Sequence, residues 1–175
     1  DEVNPSVQNI SGETKSNVNQ TKVFQVIEAY RNRGHQKANL DPLGLKPVRH
    51  IDDLNIEFYG LDSSNLSEVF NLDSFNIGKR SATLSEILKA LESIYCSTLG
   101  IEYNHISSLS ERLWFQKRLE PNLGKLNFNP EEQKYILKRL SSAEGLAKFL
   151  ASRYPGMKRF GIDGAESLIP LVDSL

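Results

Sequence analysis

Cysteine is nearly absent from the sequence: Cys96 stands alone among 175 residues. One thiol can neither close an internal disulfide nor build a cysteine-based metal site, so packing must hold the fold, and a reducing compartment suits it. No run of about 18 apolar residues occurs, which excludes a membrane-spanning helix. Asp1-Glu2-Val3-Asn4-Pro5 lacks both the basic start and the apolar stretch of a secretory signal. The chain therefore reads as soluble. An excess of charge is missing too, because 21 Lys and Arg face 22 Asp and Glu. Without a net field, neither nucleic acid nor a membrane surface is expected as a partner. No Ser–His–Asp or Cys–His order, phosphate-cradling loop or dinucleotide fingerprint can be traced. His35, His50 and His105 fall in unrelated segments without metal-ligand spacing. No catalytic residue and no metal site is assigned.

What remains is an ordinary globular composition, 39% hydrophobic and 25% charged, which sustains a packed core. Residues 1–19 are rich in Ser, Asn, Gln and Thr, and ordering them would cost backbone entropy that little burial offsets. They are expected to form a flexible leader. Val23, Ile27 and Tyr30 then recur at helical spacing, which predicts a first helix over about 21–33. Arg31, Arg33, His35 and Lys37 cluster at its C-terminal end, where they complement the helix dipole, pair on the surface, or hold an anion. Leu40-Asp41-Pro42-Leu43-Gly44-Leu45 is an ordered turn. An irregular stretch over 46–62 follows, and a short helix is expected at about 64–71.

The strongest signal starts at Thr83. Its hydroxyl and Glu86 form a capping box, and Leu84, Ile87, Leu88, Leu91, Ile94 and Tyr95 make one apolar stripe that Gly100 can stop. Another helix runs from about Ser108 through Trp114 to Pro121. Asn129-Pro130-Glu131-Glu132 opens a further one, with a cap, a proline in the first turn and acidic residues at the positive end. Ser141-Ser142-Ala143-Glu144 reads as a restart, making 130–153 a helical hairpin with Ile136, Leu137 and Leu140 buried. Pro170 predicts a bend in a last helix from Gly164 to Leu175. The apolar, uncapped end suggests that a larger protein continues beyond it. The fold class is mainly α, divided into the leader 1–19, a helical region 20–106, and a region 107–175 that leads into a further domain.

Val23-Phe24-Gln25-Val26-Ile27-Glu28-Ala29-Tyr30-Arg31-Asn32-Arg33-Gly34-His35 and the Leu40–Leu45 turn resemble the first helix and turn of 2-oxoglutarate dehydrogenase decarboxylating subunits. Phe58-Tyr59-Gly60-Leu61, Gly100-Ile101-Glu102-Tyr103-Asn104-His105-Ile106, Trp114 with Arg118, Phe128-Asn129-Pro130-Glu131-Glu132 and Lys158-Arg159-Phe160-Gly161 follow in the family's order. The resemblance covers residues 18–175. It implies an irregular helical N-terminal region of a larger α/β enzyme that uses thiamine diphosphate and magnesium. That enzyme decarboxylates 2-oxoglutarate in the citric acid cycle and passes the succinyl group to the lipoyl arm of the dihydrolipoyl succinyltransferase component. The cofactor carries the difficult chemistry and the protein supplies position and electrostatics.

The resemblance also implies that the active-site residues lie beyond Leu175, in downstream cofactor domains of a homodimer, so no cofactor is expected on this chain. Arg159, Asp163 and Glu166 are the residues expected to face those domains. Gly161-Ile162-Asp163-Gly164 only approximates the metal-binding Gly-Asp-Gly pattern, and too little chain follows it to complete such a site. Gln36 and Lys46-Pro47-Val48 replace the residues with which animal members bind calcium, which favours a bacterial, cytoplasmic source over a mitochondrial matrix one. Two alternatives stand beside this reading: a 2-oxoadipate dehydrogenase subunit, and a stand-alone helical module that binds a protein partner.

Overall fold

The computed structural model describes residues 6–45, 47, 49–125, 127–158, 161 and 164–175. It is mainly helical, and the chain divides into two compact units, Asp1–Lys125 and Leu126–Leu175. The division falls later than the 106/107 boundary expected from sequence.

In the first unit, helix α1 spans Ser6–Arg33 and so begins inside the stretch read as a leader. Polar pairing fastens the helix where that stretch ends. Asn19 is buried and donates to Glu68 at 3.2 Å, while the Gln20 amide both donates to and accepts from the backbone of Asn71. Val23, Val26, Ile27 and Tyr30 then turn one face inward, as 3.6-residue periodicity requires. The helix passes into a 3-10 turn at Gly34–Gln36. At Gly34 a Cβ atom would lie 2.5 Å from the Tyr95 Cβ, so glycine there permits close packing.

Short 3-10 turns occupy Asp52–Leu54, Ile56–Tyr59 and Ser63–Ser67. The expected helix at 64–71 is not formed. Asp62 and Asn65 instead build a capping box for a single 3-10 turn, and the chain extends into strand β1, Val69–Asn71. β1 pairs antiparallel with β2, Ser81–Thr83, matching Phe70 to Ala82. Both of these side chains point into the core while their neighbours face outward.

Helix α2, Leu84–Tyr95, has the Thr83–Glu86 capping box and buries Leu84, Ile87, Leu91, Ile94 and Tyr95 as the stripe predicted. It ends at Tyr95 with Cys96 as its cap, before Gly100. Its stripe meets that of α1 together with Leu54, Leu61, Phe70, Leu72 and Phe75, and this is the core. Helix α3, Leu109–Leu119, is capped by Ser108. The chain then turns back at Gly124, whose φ of 68° favours glycine and where a Cβ would lie 2.9 Å from the Ile94 Cα.

The second unit is simpler. Helix α4 is continuous over Pro130–Arg153, with the expected Asn129–Glu132 capping box and proline in the first turn. No hairpin forms at Ser141-Ser142, because the Ser142 hydroxyl bonds back to the Lys138 carbonyl and stays within the helix. Helix α5, Leu168–Asp173, begins late enough that Pro170 lies in its first turn, where no helical donor is lost and no bend is needed. Asp173 joins the two helices by accepting from Tyr135 at 2.5 Å and Arg139 at 2.8 Å. Among the described residues of α4 and α5 none is buried: Leu137 is 64% exposed, and Ile136 and Leu140 are only partly covered. No helix of the described residues is long and apolar enough to cross a membrane.

Candidate functional site

The basic run at the end of α1 separates into different environments. Arg31 turns inward and is 3% exposed, contrary to a surface role. Arg33 pairs with Asp53 at 2.9 Å and Lys37 with Glu92 at 3.0 Å near the surface. His35 Nε2 lies 3.9 Å from Glu102. Each of the four side chains faces a different carboxylate: Glu120, Asp53, Glu102 and Glu92.

Arg31 belongs to a buried polar network that joins five parts of the first unit: α1, the segment 74–76, the end of α2, the segment around Tyr103, and Glu120. Glu120, just beyond α3, is 2% exposed. Its Oε1 accepts from Arg31 Nε at 2.9 Å, Arg31 Nη2 at 2.6 Å and the Tyr95 hydroxyl at 3.0 Å, and its Oε2 accepts from the Asn76 amide at 3.1 Å. The Tyr95 and Tyr103 hydroxyls lie 3.1 Å apart. Arg31 also donates to Glu28 and to the Ser74 carbonyl.

Burial opposes the charge on Arg31, but Glu120 and Glu28 more than offset it and hold its pKa above the usual arginine value. Burial, reinforced by the Glu120 charge, raises Tyr95 well above the ordinary phenol range. Tyr103 is likewise raised by burial. Both Glu120 oxygens accept hydrogen bonds and burial favours the neutral form of both phenols, so the network ties together the segments that supply its members. Above it opens a groove of about 630 Å³, walled by Glu28 and Asn32 of α1 and by Leu109, Arg112, Leu113 and Lys117 of α3.

Of the residues expected to face further domains, Arg159 and Asp163 lie outside the described residues. Glu166 is exposed and accepts from the Gly164 amide at 3.0 Å, which lowers its pKa. His50 and His105 are exposed and lie apart from the network. Cys96 is half-buried, and burial pushes its thiol up to about 11, so it is not an activated nucleophile. No group of three or more His, Cys, Asp or Glu among the described residues could hold a metal. Sequence reading missed the network because Glu120 has no local signature. It resembles any solvated glutamate at a helix end, and its partners lie 25 and 89 residues away.

These features define a helical segment organised around structural polar contacts. No family model matches the chain. Across 93% of its length it is 46% identical to the 2-oxoglutarate dehydrogenase E1 component of Azotobacter vinelandii, covering 17% of that protein. It is 42% identical to the E1 component of Cupriavidus necator over 86% of the chain and 16% of the relative. To the E1/E2 component of Corynebacterium glutamicum it is 45% identical, over 88% of the chain and 13% of the relative. The resemblance carried by the ordered motifs therefore holds: the chain corresponds to one segment of 2-oxoglutarate dehydrogenase E1 components and spans less than a fifth of their length.

Proposed function

We propose that this chain is the N-terminal helical portion of a 2-oxoglutarate dehydrogenase E1 component and acts there as a non-catalytic scaffold. The whole oxidoreductase decarboxylates 2-oxoglutarate with thiamine diphosphate and magnesium. It then passes succinyl to the lipoyl group of the dihydrolipoyl succinyltransferase component. The observation that carries this reading is 46% identity over 93% of the chain against a relative of which it spans 17%.

Among the described residues, no group of three or more His, Cys, Asp or Glu is placed to hold a metal ion, and on this reading the chain is not where the cofactor sits. The cofactor is therefore assigned to polypeptide beyond this segment, in the α/β domains of a cytoplasmic homodimer. The apolar side chains exposed along α4 and α5, among them Leu146, Phe149, Leu171 and Val172, suit a surface that such domains cover. Arg159, Asp163 and Glu166 are the candidates for contacts across that surface.

The test is a decarboxylation assay with thiamine diphosphate and magnesium, run on the E1-length polypeptide and on this segment alone. Turnover of 2-oxoglutarate by the longer protein and none by the segment is the expected outcome. Turnover by the segment overturns the scaffold role, and a preference of the longer protein for 2-oxoadipate overturns the substrate.

A further inference from the structure

A helix ordinarily docks through an apolar stripe, and α3 does so only through the half-buried Phe115 and Leu119, which pack against the edge of the core. None of its residues from Leu109 to Leu119 is buried, and it makes only sparse contact with the other helices and strands. Leu109, Leu113 and Trp114 are exposed, with Arg118 lying over the Trp114 ring at 4.8 Å. Along its length the attachments are few. Phe115 stacks on Tyr103 with centroids 5.5 Å apart, and Arg112 donates to the Ile106 carbonyl at 2.8 Å.

The C-terminal end is fastened differently. Glu120 collects its hydrogen bonds from α1, α2 and the segment before β2. Ser93 donates to the Leu123 carbonyl at 3.0 Å, and Gly124 lies against the backbone of α2. Releasing Glu120 would leave the Arg31 charge buried without its main partner, which is far costlier than parting one aromatic stack. The helix is thus held firmly at one end and weakly along the rest. The face at 109, 112, 113, 116 and 117 forms a wall of the groove it shares with α1.

We propose that α3 is a strap, latched at its C-terminal end by Glu120 and free to swing at its N-terminal end, so that its position sets the width of the groove between α3 and α1. Local opening draws on segments with few buried apolar contacts, and α3 is such a segment placed beside a rigid core.

Residue-resolved amide hydrogen exchange on the 175-residue chain tests this. In the native chain, amides of Arg112–Phe115 should exchange at least about tenfold faster than those of Leu91–Tyr95, while those of Glu120, Leu123 and Gly124 stay slow. Uniformly slow exchange from Arg112 to Gly124 would overturn the proposal. The double variant Arg31→Met with Glu120→Met removes both charges and leaves neither buried alone. In it, the amides of residue 120, Leu123 and Gly124 should speed up to match the N-terminal half of α3, while α1 and α2 remain protected. Retained protection at those positions shows that the polar contacts are not the latch. Loss of protection in α1 and α2 shows that Glu120 belongs to the core and not to a strap.

Discussion

The two units bury apolar side chains to very different degrees. Val23, Ile27, Leu91 and Ile94 of the first are fully shielded from solvent. In the second, Leu137, Leu146, Phe149, Leu171 and Val172 are all more than half exposed. Both contain well-capped helices, so local helix chemistry is not what separates them. The difference is whether the apolar face meets another within its own unit. Helix capping and periodicity can be satisfied locally, whereas burial requires a second surface.

The largest effect that can break this comparison comes from truncating one leucine in each unit. Leu91→Ala should lower stability by about 2–5 kcal/mol through lost burial and a residual cavity. Leu146→Ala, on an exposed position, should stay within about 0.5 kcal/mol. Urea unfolding of both variants measures this, and equal losses would erase the distinction between the units.

Glycine sharpens it further. Gly34→Ala forces a Cβ into the Tyr95 side chain and should cost about 1–3 kcal/mol in the same urea titration. Gly145, in the middle of α4, has open space around it, so Gly145→Ala should gain about 0.5–1 kcal/mol of helix stability, visible in the circular dichroism melt. Opposite signs are expected from the same substitution in the two units.

A pH-dependent difference concerns Cys96. Its thiol pKa is raised from 9.0 to about 11 by burial, so the folded chain keeps a proton that the unfolded chain releases. That contribution to stability is fully present below pH 9.0 and fades as pH rises through about 11. Relative to Cys96→Ser, the native chain should lose stability across that window. Parallel pH profiles of the urea midpoint would show that the thiol is not shielded.

The sequence-readable parts of the fold are those whose cause is local. Thr83–Glu86 and Asn129–Glu132 are capping boxes because donor and acceptor lie three residues apart, and the stripe of α2 follows from its own periodicity. β1 and β2 were hidden because each is only three residues long, too short for alternation to stand out from a helical pattern. Gln20 pairs with Asn71 across 51 positions, so this anchor of α1 rests on a contact no local window contains. Ser141-Ser142 looks like a cap in one dimension, yet a serine hydroxyl can equally bond back within a helix. The network around Glu120 was illegible for the same reason as the Gln20–Asn71 pair: its members converge only in three dimensions.

The central claim is that the second unit presents a surface completed by the rest of an E1 component. Hydrogen exchange in α4 and α5, measured in this segment and in the E1-length polypeptide, tests it most directly. Amides of residues 136–150 and of Leu168, Ile169, Leu171, Val172 and Asp173 should exchange quickly in the segment and become protected in the longer protein, while those of α2 stay slow in both. Equal and fast exchange of α4 and α5 in the two proteins would contradict it.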